Sequence, residues 1–268
     1  MVDQPPRQEW RVSAWLAADG SKDAAPPHAL VILNQPVCSA RHLAAMWSLA
    51  SIKLCADGGA NRLFDSLATD EERRRFLPDM IKGDLDSLRK DVREWYEAQG
   101  VPVIQENDLY STDFMKCMSE VERIELERGA FHDVIAFGAL GGRFDQTMAS
   151  INMLYRRAEQ EKRGGVGRVR QIYLASNESV AFLLRPGRKH RITCNLKLEG
   201  PTCGLIPVGG VVRALSTGLM WNLDQSMSLS FGDLVSSSNW FAEGDGDERV
   251  VEIEVDAPLV WTVEVNLA

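Results

Sequence analysis

No apolar run in this 268-residue chain approaches the roughly 20 residues that a membrane-spanning helix needs. The first residues lack the basic-then-apolar pattern of a secretory signal. Five cysteines (Cys38, Cys55, Cys117, Cys194, Cys203) form no C-x-x-C pair, so reduced, mostly buried thiols and a cytoplasmic location are expected. The four histidines are scattered, which argues against a zinc site. No G-x-x-x-x-G-K-S/T occurs, so a P-loop is excluded. Positive charge is scarce: 30 Lys and Arg against 38 Asp and Glu leave a net charge of −8. That balance argues against nucleic acid or an anionic membrane as the main partner. An anionic nucleotide is compatible if cations and local Lys or Arg offset the carboxylates.

What the chain has is material for a core, 45% hydrophobic residues against 25% charged, and a spaced set of carboxylates. Its length fits one large or two modest domains. Four short acidic segments recur: Asp57-Gly58-Gly59-Ala60-Asn61, Gly83-Asp84-Leu85-Asp86-Ser87, Ser111-Thr112-Asp113-Phe114 and Gly141-Gly142-Arg143-Phe144-Asp145-Gln146. The steps from Asp57 to Asp84 to Asp113 to Asp145 are 27, 29 and 32 residues. One βα unit takes about 30 residues, so each Asp is expected where a strand hands over to its helix. In open α/β sheets that edge is where ligands bind.

The intervening pattern agrees. The apolar run 29–33 and the segments 52–56, 78–82, 101–105 and 134–140 read as strands, with helical spacing between them. Phe114, Cys117, Met118, Val121 and Ile124 share one helix face, and Gly129 is expected to end that helix. After the polar stretch 159–168 the punctuation changes to short strands and turns, and from His190 an all-β domain of sandwich or barrel type is expected. Residues 172–175 and 180–184 are read with the first domain. The expected division is a loose lead-in over 1–28, with Pro5, Pro6, Pro26 and Pro27, an α/β domain with a mainly parallel sheet over 29–185, and a β domain over 186–268.

Asp84 and Asp86 lie two apart, so extended backbone would point both side chains the same way. At roughly 4 Å and an effective dielectric of about 20, two carboxylates repel by about 4 kcal/mol. A Mg²⁺ ion removes that repulsion and attracts phosphate oxygens. The alternative is that these Asp residues cap helices or form turns; four such segments at strand ends favour the metal. Gly58-Gly59 either brings main-chain amides to a phosphate or simply permits a turn. Arg143 and Asp145 are either a local ion pair or a guanidinium for a phosphoryl group beside a metal-binding or hydroxyl-orienting carboxylate. Lys116, three residues after Asp113, is its salt-bridge partner or a phosphate ligand, and Lys82 carries the same ambiguity. Trp221, in Ser216-Thr217-Gly218-Leu219-Met220-Trp221-Asn222, reads first as core, although its face suits a flat cationic ring, with Ser236-Ser237-Ser238-Asn239 able to add hydrogen bonds.

These four segments, together with the runs 203–209, 216–223, 231–239 and 256–261, resemble thiamine pyrophosphokinase in matching order from about Ala29 to the C-terminus. Leu33-Asn34-Gln35-Pro36 and the long lead-in give it the look of a fungal member. The resemblance implies an α/β catalytic domain, a C-terminal β-sandwich, and a homodimer in which the partner's β domain completes each active site. The implied reaction moves the terminal pyrophosphoryl unit of ATP to the hydroxyethyl group of thiamine, giving thiamine diphosphate and AMP. Carried onto this chain, Asp57, Asp84, Asp86, Asp113 and Asp145 would organise Mg²⁺. Asn34, Gln35, Gly58, Gly59, Asn61, Lys116, Arg143 and Gln146 would meet the nucleotide, while Ser216, Thr217, Trp221, Ser236 and Ser238 would hold thiamine. The stacking role replaces the core reading of Trp221. Met220 and Ser237 depart from the family pattern, away from the metal candidates. A Mg²⁺-dependent nucleotide pyrophosphohydrolase and a non-catalytic thiamine-binding protein are the competing readings.

Overall fold

The computed structural model describes residues 6–16, 27–164, 169–265 and 267. It divides into two compact units, one of Ala18–Met153, Gly167–Asn177 and Leu267–Ala268, the other of Met1–Ala17, Leu154–Val166 and Glu178–Asn266.

In the first unit, six strands pair in parallel in the order Ile172–Ala175, Asp133–Phe137, His28–Ile32, Ala50–Ala56, Met80–Gly83, Val103–Gln105. Parallel strands joined by helices are covered on both faces, so they read as continuous apolar runs; Ala29 to Ile32 are at most 1% exposed. The helix Asp113–Arg128 begins where the Thr112 side chain accepts from the Met115 amide (3.3 Å) and ends at Gly129, φ +62°. The short helix Asp70–Arg75 was not expected, although its Thr69/Glu72 capping box is a readable signal. Connections run outward from His28–Ile32 through three strands, then cross to Asp133–Phe137 on its other side. The switch point therefore lies between these two strands, and their carboxyl ends open a crevice.

The second unit holds two sheets. Ser236–Trp240, Glu199–Ile206, Leu259–Val265 and Ser179–Leu184 pair antiparallel in that order. The other runs Arg7–Trp10, Lys189–Asn195, Glu248–Val255, Val212–Thr217, Ser228–Leu229, antiparallel except for its first pair. Trp10 of one sheet stacks on Phe182 of the other at 4.1 Å, and its indole nitrogen donates to His190 Nδ1 (3.0 Å). The shared aromatic core makes this unit a sandwich.

Two boundaries differ from expectation. The lead-in is not loose over its described part: Arg7–Trp10 extends a sheet, and Trp10, Val12, Trp15 and Leu16 are at most 3% exposed. Four buried apolar side chains outweigh the proline punctuation around them; residues 1–5 and 17–26 lie outside the described residues. Ser179–Leu184 joins the sandwich, because its hydrogen bonds go to Leu259–Val265. The end of the polar stretch 159–168 lies, from 165 on, outside the described residues.

Candidate active site

A cleft of about 310 Å³ opens at the carboxyl ends of the parallel strands, lined by Asn34, Gln35, Asp57, Gly58, Asp84, Asp86, Asp113, Arg143 and Gln146 among others. Within it, one carboxylate oxygen each of Asp57, Asp84 and Asp113 lies within 4.8 Å of the other two. Three loops deliver them. Asp57 follows the strand Ala50–Ala56 in left-handed backbone, φ +44°. Asp84 follows Met80–Gly83, and Asp113 opens the helix Asp113–Arg128. Asp113 Oδ1 accepts from the Asp84 amide (3.2 Å) and from Lys116 Nζ (2.9 Å), and Lys116 also reaches Asp84 at 3.8 Å.

Gly83 allows this approach. A Cβ there would stand 2.7 Å from Asp57 Cβ and 3.1 Å from Asp113 Oδ1. Sequence reading treated Gly83 only as part of a turn, since the need for a bare backbone appears only when a neighbouring strand supplies Asp57.

Burial pushes the Asp57 carboxyl up, hydrogen bonds from backbone amides oppose this, and the Asp113 charge adds to it. Burial works against the charge on Lys116, but its bond to Asp113 and the fields of Asp113 and Asp84 hold its pKa above the ordinary lysine value. Three carboxylates against one ammonium leave a deficit of two positive charges. All-oxygen donors with that deficit match a hard divalent cation.

The other candidates separate. Asp86 lines the cleft but stands outside the trio, accepting from Ser87 Oγ (2.9 Å). The extended backbone expected between Asp84 and Asp86 is broken at Leu85, φ +66°, where the Asp86 amide donates to Asp84 Oδ1 (3.2 Å). Asp145 is exposed, also outside the trio, and takes two bonds from Arg143 (3.1 and 2.5 Å) that hold its carboxyl below the usual range. The ion-pair reading of these two residues thus describes their resting contact. Lys82 is likewise paired, with Glu120 (3.0 Å) and Glu106 (3.1 Å). Asn34 Oδ1 accepts from Arg62 Nε (2.8 Å), and its amide lies where a Cβ on Gly58 would come within 2.4 Å. Gly59 lies against the Ile32 carbonyl and Gly142 against the Gln35 side chain, each too close for a Cβ. Asn61 makes two bonds to the Ser87–Arg89 turn.

In the sandwich unit, Trp221 is 57% exposed, so it is no core residue. Its amide donates to Asn239 Oδ1 (3.3 Å) and its carbonyl accepts from Asn239 Nδ2 (2.8 Å). Asn239, which sequence reading placed only in a polar run, therefore fixes the Trp221 loop and also donates to Ser236 Oγ (3.0 Å). Ser216 is buried, and its hydroxyl accepts from the Leu223 amide (2.8 Å) and donates to Asn222 Oδ1 (3.3 Å). Thr217 and Ser238 are exposed.

The chain is similar to known proteins in sequence and fold. Residues 43–163 match the family model described as thiamin pyrophosphokinase, catalytic domain, and residues 189–260 match thiamin pyrophosphokinase, vitamin B1 binding domain. Thiamine pyrophosphokinase 3 of Oryza sativa subsp. japonica is 39% identical over 249 residues, covering 89% of this chain and 87% of that protein. The thiamine pyrophosphokinase of Saccharomyces cerevisiae is 31% identical, covering 84% and 85%. The rice protein is the more similar of the two, so the likeness is not confined to fungi. The crystal structure of yeast thiamin pyrophosphokinase superimposes with a TM-score of 0.80 at 26% identity, covering 98% of this chain and 92% of that one. With both family models and relatives of this similarity along most of its length, the chain belongs to the thiamin pyrophosphokinase family.

Proposed function

We propose that this chain transfers the terminal pyrophosphoryl unit of ATP to the hydroxyethyl oxygen of thiamine, giving thiamine diphosphate and AMP. The observation that carries the reading is the meeting of Asp57, Asp84 and Asp113 at the strand ends, with Lys116 as their only close cation among the described residues. Mg²⁺ held by these three carboxylates would neutralise phosphate oxygens during transfer. The chain's own part is positioning and charge, as in other phosphoryl transfers.

Lys116 fixes Asp113 through their 2.9 Å bond and keeps the three carboxylates from repelling one another outright. Arg143 lines the cleft with an exposed guanidinium, and exchanging Asp145 for phosphate oxygens would place two planar donors on the transferring group. Thiamine's alcohol attacks the β-phosphorus as the bond to the α-phosphate oxygen breaks and AMP departs. The alcohol proton would go to a carboxylate that the metal does not saturate, Asp113 or Asp145.

Trp221, with Thr217, Ser236 and Ser238, is the proposed thiamine surface, where an exposed indole face suits a cationic ring. Ser216 would support it by holding the loop to Asn222 and Leu223. A homodimer is proposed with it, supported by exposed Phe231, Leu234 and Trp240 in the same unit. A cytoplasmic location is proposed from the five free, buried cysteines; no helix among the described residues is long and apolar enough to cross a membrane.

Phosphorus NMR of ATP with Mg²⁺, recorded with and without thiamine, tests the reading. AMP and thiamine diphosphate are expected only when thiamine is present. AMP formed without thiamine would assign the chain to nucleotide hydrolysis instead.

A further inference from the structure

The turn that follows Asp84 is bracketed from one side by the segment 57–61. Three consecutive amides of that turn donate to it: Ser87 to Asp57 Oδ2 (3.2 Å), Leu88 to Asp57 Oδ1 (3.1 Å) and Arg89 to Asn61 Oδ1 (3.1 Å). Asn61 Nδ2 returns a bond to the Ser87 carbonyl (2.8 Å). One helical turn on from Asn61, Asp65 takes two bonds from the Arg89 guanidinium (2.7 and 2.8 Å).

Both polar atoms of the Asn61 amide are thus committed to the turn, and Asn61 is not among the residues that line the cleft. We propose that Asn61 is a positioning residue, not a phosphate contact: it sets the turn 84–89 and so the place of Asp84 beside Asp57 and Asp113. A carboxamide suits this post, accepting from one backbone group and donating to another across its own width, which neither an ionised aspartate nor leucine can do. Leu85, at φ +66°, is a conformation that side chains other than glycine rarely adopt, so the turn needs such external support. The catalytic consequence rests on the metal reading above; the bracket itself does not.

The test compares wild type with Asn61→Ala and Asn61→Asp, the second keeping the size and the acceptor for Arg89 while losing the donor. Amide hydrogen exchange is followed across 84–89 in metal-free protein, and kcat, KM for ATP and the half-activating Mg²⁺ concentration are measured. Expected for both variants is exchange about tenfold faster at 84–89 and unchanged in the strand 133–137. With it come a kcat at least about tenfold lower, a raised Mg²⁺ requirement, and a KM for ATP within about twofold of wild type. If Asn61→Ala does not fold, Asn61→Asp decides. Unchanged exchange at 84–89 overturns the bracket, as does a raised KM for ATP at unchanged kcat, which would mark a direct phosphate contact. A wild type indifferent to divalent ions would remove the magnesium reading, and the exchange result would still decide the bracket.

Discussion

Gly83 lies so close to Asp57 that a single added methyl would approach its Cβ to 2.7 Å. The contact sets the spacing of the site, because Asp113 stands on the same methyl position at 3.1 Å. Gly83→Ala should cost about 1–3 kcal/mol of stability through overpacking. It should lower kcat by about 100-fold, because the displaced groups are the ones that must be aligned. Denaturant unfolding and steady-state kinetics read the two effects separately; unaltered kinetics would mean the carboxylates need not meet.

Asp84→Asn preserves shape and the bond from the Asp86 amide while removing a charge from the trio. The fold should survive, and turnover should fall by at least about 100-fold. Circular dichroism and a thiamine diphosphate assay check this. Near-normal turnover would exclude Asp84 from the metal set.

Glu199 gives the sandwich a pH dependence. Its carboxylate is buried, accepting from the Ser13 amide (3.2 Å) and the Asn195 amide (3.1 Å). Burial lifts its pKa from 4.5 to about 7, against the opposing pull of those amides. The native state therefore holds this proton where the unfolded chain has released it, and stability falls as pH rises from about 4.5 to about 7. Glu199→Gln keeps an acceptor and removes the charge, so it should flatten that decline, a gain on the order of 3 kcal/mol above pH 7. Melting temperatures of both proteins from pH 5 to 8 check it; parallel curves would show that Glu199 titrates normally.

Trp221 should matter to thiamine and little to folding. An exposed side chain contributes within about 0.5 kcal/mol to stability, whereas a cation over an indole is worth about 0.5–2 kcal/mol. Trp221→Ala should raise KM for thiamine roughly 2- to 30-fold with KM for ATP unchanged, and Trp221→Phe should recover part of the loss. Kinetics with each substrate varied in turn decide this, and an unchanged thiamine KM would return Trp221 to the surface.

Period and spacing carried much of this protein. Five of the six parallel strands and the helix closed at Gly129 were legible because short strand segments alternate with helical spacing, the central strand His28–Ile32 is buried and apolar from Ala29 on, and a helix end leaves a glycine mark. The acidic segments fell at strand ends because one βα unit has a nearly fixed length. The segment 7–16 was misread because Phe182 and His190, which pack and bond with Trp10, lie far along the chain, where no local pattern announces them.

Local sequence thus determined which side chains stand at the rim of the sheet, since that depends only on repeat length and strand direction. Which of them meet was decided by the tertiary fold. Strand order brings Asp57, Asp84 and Asp113 together, while Leu85 turns Asp86 aside and Arg143 engages Asp145. Convergence of this kind is a property of three loops at once: it depends on distances between segments about 30 residues apart, which no local pattern encodes.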